Sequence, residues 1–271
     1  MAEISAKDVM ALRNRTGLAM MACKKALGEA GGDVEKAEEL LRKQLKGKME
    51  KRSDRAAGEG RVEIAVSPDG SAASIIELRA ETDFTARNEN FINTAKQLAE
   101  HSLQQSAGSV SPTDEMTALV DNIKIQTGEN ISIARAAKVE ADGTGFGTYI
   151  HHDGKTGVLL IAKGDADEET LKKVGMHVTA AVPRPLGVSP DDIPADMVEK
   201  ERKFRVDQAM ESGKPQEIAE KMVEGGMKKF YAEVALNEQK FVMDESKTIK
   251  DVVAPAEIIA FHRWQVGETS S

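Results

Sequence analysis

Between residues 5 and 46 apolar residues recur at helical spacing in three short runs. Ser5 with Asp8 resembles a capping box with Asp in the usual Glu position, Val9 and Leu12 then share a face, and Thr16-Gly17 closes the first run. Leu18 to Ala30 is the second, broken by Gly31-Gly32. Asp33 caps a third, with Val34, Ala37, Leu41 and Leu45 on one stripe. Residues 47–60 are charged and lack an apolar stripe long enough for a core. They read as a linker, which makes residues 1–46 a separate three-helix head.

After Gly60 the period changes from helix to strand. Arg61 to Val66 alternates, Ser67-Pro68-Asp69-Gly70 is a turn, and Ala72 to Leu78 is a second strand. A helix follows from about Asn88, with Phe91, Ala95, Leu98 and Ser102 on one side, and a shorter one from Met116 to Ile125 stops at Thr127-Gly128. The plan then repeats. Phe146 to Ile150 and Val158 to Ala162 flank an Asp153-Gly154 turn, and Glu168 to Ala181 is helical. Setting Asp69-Gly70 on Asp153-Gly154 without gaps makes the helices coincide, so the core reads as an internal duplication over 61–140 and 141–271. Within the second part, 196–236 reads as an antiparallel helical hairpin turning at Gly213-Lys214-Pro215. Its seam is thin: Val198, Val206 and Met210 face Ile218, Met222 and Phe230. Val252 to Val266 supplies a last helix and strand. The fold class is α+β.

Charge narrows the partners. The first 60 residues carry +3 and the remainder −11, so most of the chain repels a phosphate backbone and nucleic acid is an unsuitable partner. The weakly positive head suits an acidic protein surface. Cys23 is the single cysteine, which excludes an intrachain disulfide and fits a reducing compartment. The first residues have no apolar signal core and no run approaches the ~20 residues that span a bilayer, so a cytoplasmic protein without a membrane partner is the expectation.

Candidate chemistry is sparse. His101, His151, His152, His177 and His262 lack metal-ligand spacing, and no Ser/His/Asp or paired-carboxylate arrangement stands out. Gly143-Thr144-Gly145-Phe146-Gly147 is no phosphate loop, because a hairpin rather than a helix N-terminus follows it. No cofactor and no covalent chemistry are expected. The feature that stands out is Thr82-Asp83-Phe84-Thr85, between the second strand and its helix. In the duplicated copy Glu168 falls opposite Phe84, so the scaffold needs no aromatic there. One reading makes Asp83 a helix N-cap and Phe84 a hydrophobic staple. The other makes them a rigidly mounted tip for a partner. On the head, Met20 and Met21 point about 100° apart, so one can pack inside while the other meets a partner.

The head carries Leu12-Arg13, Thr16-Gly17, Met20-Met21, Cys23-Lys24-Lys25-Ala26-Leu27 and Gly32-Asp33. The core carries Thr82-Asp83-Phe84, Ala86-Arg87-Asn88, Gly128-Glu129-Asn130, Met176-His177-Val178, Ser212-Gly213-Lys214-Pro215 and Phe241-Val242-Met243. In this order and spacing they resemble the bacterial elongation factor Ts family, guanine-nucleotide exchange factors for elongation factor Tu. The resemblance implies a ubiquitin-associated-like head. It implies that Thr82, Asp83, Phe84 and Thr85 intrude beside the nucleotide site of elongation factor Tu and dislodge its magnesium. It further implies partner contacts at Leu12, Met20, Met21, Lys24, Gly128 and His151. Thr85 stands where the family usually has Val, making the tip less apolar, and Thr127 replaces a usual aliphatic residue. A short tail after Gly267 implies that contacts made by longer tails are absent. A homodimer and a heterotetramer with the partner both stay open. So does a plain adaptor with no effect on a nucleotide.

Overall fold

The computed structural model describes residues 4–50, 54–141, 143–213 and 215–268, with the side chains of 46–50 and 144 excluded. Lys214 of the expected hairpin turn and residues 51–53 of the expected linker lie outside the described residues. The chain divides into two compact units, one of residues 1–63, 76–138 and 266–271, the other of residues 64–75 and 139–265.

The first unit begins with α1 (Ala6–Thr16), α2 (Met20–Glu29) and α3 (Val34–Glu50). Ser5 caps α1 by accepting the Asp8 amide, and Gly17 ends it in the left-handed region at φ 70°. Asp33 accepts the amides of Glu35 and Lys36 to start α3. Their apolar faces enclose a core of Val9, Leu12, Cys23, Ala26, Leu27, Ala37 and Leu41. Helix α3 runs on to Glu50, and β1 (Glu59–Val66) starts before Gly60. Both elements therefore occupy part of the stretch read as linker.

β2 (Ala72–Ala80) is buried along almost its whole length, as expected of a strand paired on both sides. A one-turn helix α4 (Asp83–Ala86) and then α5 (Glu89–Ser102) follow, the latter burying Phe91, Ala95, Leu98, Ala99 and Ser102 as its spacing predicts. A two-residue strand β3 (Gly108–Ser109), helix α6 (Asp114–Thr127) and β4 (Ser132–Glu140) complete the sheet, ordered β1-β2-β4-β3. Strands β3 and β4 carry no strong alternation and were not anticipated. α3 packs on α6, and Gly17 faces Gln126, where an added Cβ would lie 3.3 Å from Cγ. The head is thus part of the first unit rather than a body set apart.

Glu77 is the charged residue of β2 with no exposure. Its carboxylate takes Arg79 Nε at 2.8 Å, Arg135 Nε at 2.7 Å and the Gly267 amide at 3.0 Å. A carboxylate removed from water needs such partners.

In the second unit β5 (Thr144–Ile150), β6 (Thr156–Lys163) and, after a long excursion, β9 (Glu257–Gln265) form an antiparallel sheet in the order β5-β6-β9. Helix α7 (Glu168–Ala180) lies on it. The core joins Val158, Leu160, Leu171, Val174 and Val178 to Leu236, Phe241, Ile249 and Ile258. The excursion contains α8 (Ala195–Glu211), α9 (Gln216–Val234), the small ladder β7 (Lys240–Phe241) and β8 (Asp244–Thr248), and α10 (Ile249–Val253). α8 and α9 form the predicted helical hairpin, but its seam is the predicted one only in part: Val198, Met222 and Phe230 are half-buried, Val198 and Phe230 against Ile193, Val234 and Ala235. Ala209 and Met227 are buried, whereas Val206, Met210 and Ile218 are exposed. Small residues decide the approach: a Cβ on Gly226 would sit 2.8 Å from Arg205 Cδ, so the arginine stem already fills that space.

Gly147 of β5 and Gly175 of α7 have a packing reason. A Cβ on Gly147 would lie 2.6 Å from Leu171 Cβ, and one on Gly175 of α7 would lie 2.6 Å from Tyr149 Cβ. Both admit the close approach of helix to strand. Both halves therefore show a hairpin followed by a helix, with the hairpin's second strand paired on both sides.

Candidate functional site

The two copies start their helices differently. In the second, Asp167 is the N-cap and accepts the Thr170 amide at 2.9 Å, and α7 then runs without a break. Gap-free superposition sets Asp83 on Asp167, but Asp83 is not a cap. Thr82 takes that place, accepting the Thr85 amide at 3.3 Å, so α4 begins one residue earlier. It lasts one turn before Asn88 caps α5 afresh by accepting the Asn90 amide. Asp83 becomes the first helical residue and pairs with Arg87 at 3.3 Å. Phe84 is no staple either: it is 84% exposed.

One turn of helix cannot hold itself together. What fixes it is Glu129, just beyond the end of α6. Its Oε2 accepts the amides of Glu81 and Thr82, each at 3.1 Å. Its Oε1 accepts the hydroxyls of Thr82 at 2.6 Å and Thr85 at 2.7 Å. Glu81 reciprocates: its Oε1 accepts the Asn130 amide at 2.7 Å, and its Oε2 meets Arg55 at 3.4 Å. Glu129 is itself set by the end of α6. Gly128 turns the chain in the left-handed region at φ 74° with its amide on Lys124 O. Thr127 donates to Ile123 O at 2.8 Å and accepts the Glu129 amide at 3.3 Å.

This arrangement corrects the expectation for Thr85 and gives Thr127 a part. Thr85 does not make the tip less apolar, because it is buried beneath it with its hydroxyl on Glu129. Thr127, which stands in place of a usual aliphatic residue, uses its hydroxyl in the turn that delivers Glu129. Glu81 and Glu129 were missed as site residues. A carboxylate placed directly after a helix-ending glycine, with two threonine hydroxyls in need of partners, was the available signal.

The other expected contact residues divide. Leu12 is fully buried in the head core and has no surface to offer a partner; its interval from Val9 is core spacing. Met20 and Met21 are both outside, 46% and 74% exposed, because Cys23, Ala26 and Leu27 fill the inner face of α2. The expectation that one of them packs inside is therefore not met. Lys24 is exposed beside them.

In the second unit, His151 starts the hairpin turn between β5 and β6. Its Nδ1 lies 3.1 Å from the Tyr149 hydroxyl, and its ring meets His152 edge-on at 4.3 Å between centroids. His177 is buried, with Nε2 on Gln239. That position gives it no access to a substrate. Among the described residues no group of three or more His, Cys, Asp or Glu is placed to hold a metal ion. No described helix is long and apolar enough to cross a membrane.

Comparison with known proteins gives this chain its family. A sequence model of the family described as elongation factor TS matches residues 81–268, which include the loop and its clamp. Elongation factor Ts of Photorhabdus laumondii is 43% identical over 99% of this chain and 94% of its own length. Elongation factors Ts of Yersinia pestis and Yersinia pseudotuberculosis are each 43% identical over 99% of this chain and 93% of theirs. With its exposed Phe84 held on a loop that both halves of the duplication do not share, this chain belongs to the elongation factor Ts family of translation elongation factors.

Proposed function

We propose that this protein binds elongation factor Tu in its GDP form and promotes exchange of GDP for GTP, acting in the cytoplasm and forming no covalent intermediate. The observation that carries the reading is Phe84, an aromatic ring left almost wholly in water on a loop whose flanking amides and hydroxyls are held by Glu129. Exposed apolar residues cost the free protein solubility and return about 1.5–3 kcal/mol each when a partner buries them. Asp83 stands beside it as a fixed negative charge, suited to a site where a divalent cation and a diphosphate meet.

In this reading Met20, Met21 and Lys24 of the head and His151 of the second unit supply binding area, Gly128 shapes the edge of the loop, and Thr82 and Thr85 hold the tip. Phe84 and Asp83 convert binding into distortion. The factor favours the partner conformation that holds GDP and magnesium poorly, and losing the cation leaves the diphosphate charge uncompensated. By reciprocity GDP weakens the factor's grip as much as the factor weakens GDP's. Couplings of this kind are typically about 1–3 kcal/mol.

The test is release of a fluorescent GDP from elongation factor Tu after mixing with catalytic amounts of this protein. Acceleration by wild type, with Phe84→Ala retaining most binding but releasing GDP slowly, is the expected result. Binding with no acceleration by wild type would leave a plain adaptor. A Phe84→Ala variant as fast as wild type would sink the wedge.

A further inference from the structure

We propose that Glu129 is the positioning residue of the exchange loop: it touches no nucleotide and works by presetting the backbone that carries Asp83 and Phe84. The proposal rests on the reading that Phe84 acts on the partner.

The tip's other supports are local: the Thr82 cap, the few backbone hydrogen bonds of one turn, and the burial of Thr85 and Ala86. Phe84 packs against nothing that would hold it, and the Asp83–Arg87 pair is exposed and therefore weak. α4 is a single turn. Against this, Glu129 fastens both sides of the tip at once, with Glu81 and Thr82 before it and Thr85 after it. Its two oxygens divide the work, one taking two backbone amides and the other two hydroxyls. Hydrogen bonds to a charged group are stronger than neutral ones and are shortest here at the hydroxyls. An unclamped loop would present Phe84 in many directions. A partner would then have to order it on binding, which lowers the fraction of encounters that distort the nucleotide site.

The division of labour makes a sharp prediction about substitutions. Glutamine keeps the reach, since its oxygen can accept the two amides while its NH2 donates to hydroxyls that rotate to accept. It gives up the charge assistance and the acceptor for the two hydroxyl protons, so its loss is real and smaller than that of a side chain that cannot span the loop. Aspartate keeps the charge but is one methylene shorter, so it reaches the amides or the hydroxyls and not both. Reach, more than charge, is what the loop requires.

The experiment measures fluorescent GDP release from elongation factor Tu by the full-length protein, as wild type, Glu129→Gln, Glu129→Asp, Phe84→Ala and the Glu129→Asp/Phe84→Ala double variant. Glu129→Asp is expected to lower the maximal release rate by about tenfold, with a smaller change in the half-saturating concentration, while Glu129→Gln stays within about threefold of wild type. In the Phe84→Ala background the aspartate change is expected to do almost nothing further, since its whole effect passes through the presented ring. A loss of general stability would instead slow both backgrounds alike, and that result would overturn the proposal. So would Glu129→Asp matching wild type. If wild type itself fails to release GDP, the exchange reading falls rather than the positioning one. Should Glu129→Asp not fold, Thr82→Val is read in the same pair of backgrounds. It deletes one of the four donors and the cap of α4, and full activity would overturn the proposal.

Discussion

His177 and Gln239 are bonded to each other inside the second unit, Nε2 to Oε1 at 3.0 Å. The Val242 amide, which can only donate, points at His177 Nδ1 from 3.3 Å, so the ring is neutral with its proton on Nε2. Gln239 spends its NH2 on the carbonyls of Pro183 and Glu233, at 3.0 and 2.7 Å. One imidazole and one amide thus join α7, the strand β7 region and the end of α9. The histidine in the Met176-His177-Val178 motif is a structural tie.

This tie makes stability fall in acid. Burial holds the His177 pKa below its ordinary value of 6.5, with the Gln239 bond opposing in part. Below that pH the unfolded chain takes up a proton that the folded ring refuses, so stability is complete above it and declines as pH falls. His262 is shifted in the same direction by burial and adds to the decline. Urea unfolding at pH 7.5 and pH 5 measures it. His177→Asn is expected to be less stable at pH 7.5 by about 1–3 kcal/mol and to lose less on acidification than wild type.

The head separates stability from binding. Leu12→Ala removes a fully buried side chain and is expected to cost about 2–5 kcal/mol, with any loss of partner affinity following from disorder in the head. Met21→Ala changes an exposed residue and is expected to shift stability by no more than about 0.5 kcal/mol. It should nevertheless weaken binding to elongation factor Tu by about 1 kcal/mol or more if the partner buries the side chain. Thermal unfolding and calorimetric titration of the two variants distinguish these outcomes.

Gly175→Ala is a remote route to His151. The new methyl would stand 2.6 Å from Tyr149 Cβ, so strand and helix must part or the ring must turn. Overpacking of this kind costs about 1–3 kcal/mol. Because the Tyr149 hydroxyl is the neighbour of His151 Nδ1, the His151 imidazole resonances are expected to move in NMR spectra although the substitution lies on another element. Unchanged spectra would contradict the packing described for α7.

Glu77→Ala is expected to be among the most destabilising single changes in the first unit. It takes the shared carboxylate away from Arg79 and Arg135, leaves a space where it stood and frees the Gly267 amide. Removing one partner of a buried pair costs about 3–5 kcal/mol. Denaturant titration is the measurement, and a variant within about 1 kcal/mol of wild type would refute the assignment.

Much of this was legible in the residues. Helix caps at Ser5 and Asp33, a helix start near Asn88, and glycine stops at Gly17 and Gly128 act locally and were read in place or nearly so. The duplicated hairpin and helix followed from two Asp-Gly turns at matching positions. What escaped depends on contacts distant in sequence. β4 has a mixed pattern because its environment comes from the strands beside it. The seam of the helical hairpin is set by Ala209 and Gly226, small residues that an apolar stripe overlooks. At the site, an exposed Phe84 was one of the two readings the residues allowed, and the exposure decides between them. The Thr82 cap that displaces Asp83 was not foreseen, because the helix start is decided by Glu129, more than 40 residues away in the chain.

A one-turn helix whose shape is imposed from elsewhere cannot be copied by its own sequence. A synthetic peptide spanning residues 80–88 would hold the aromatic ring and the carboxylate but not their geometry, and should neither compete with the intact protein nor release nucleotide. An effective mimic would have to graft residues 127–130 onto the same scaffold, or replace Glu129 by a covalent bridge across the loop. Inhibitor design against the complex therefore begins with a macrocycle, not with a linear peptide.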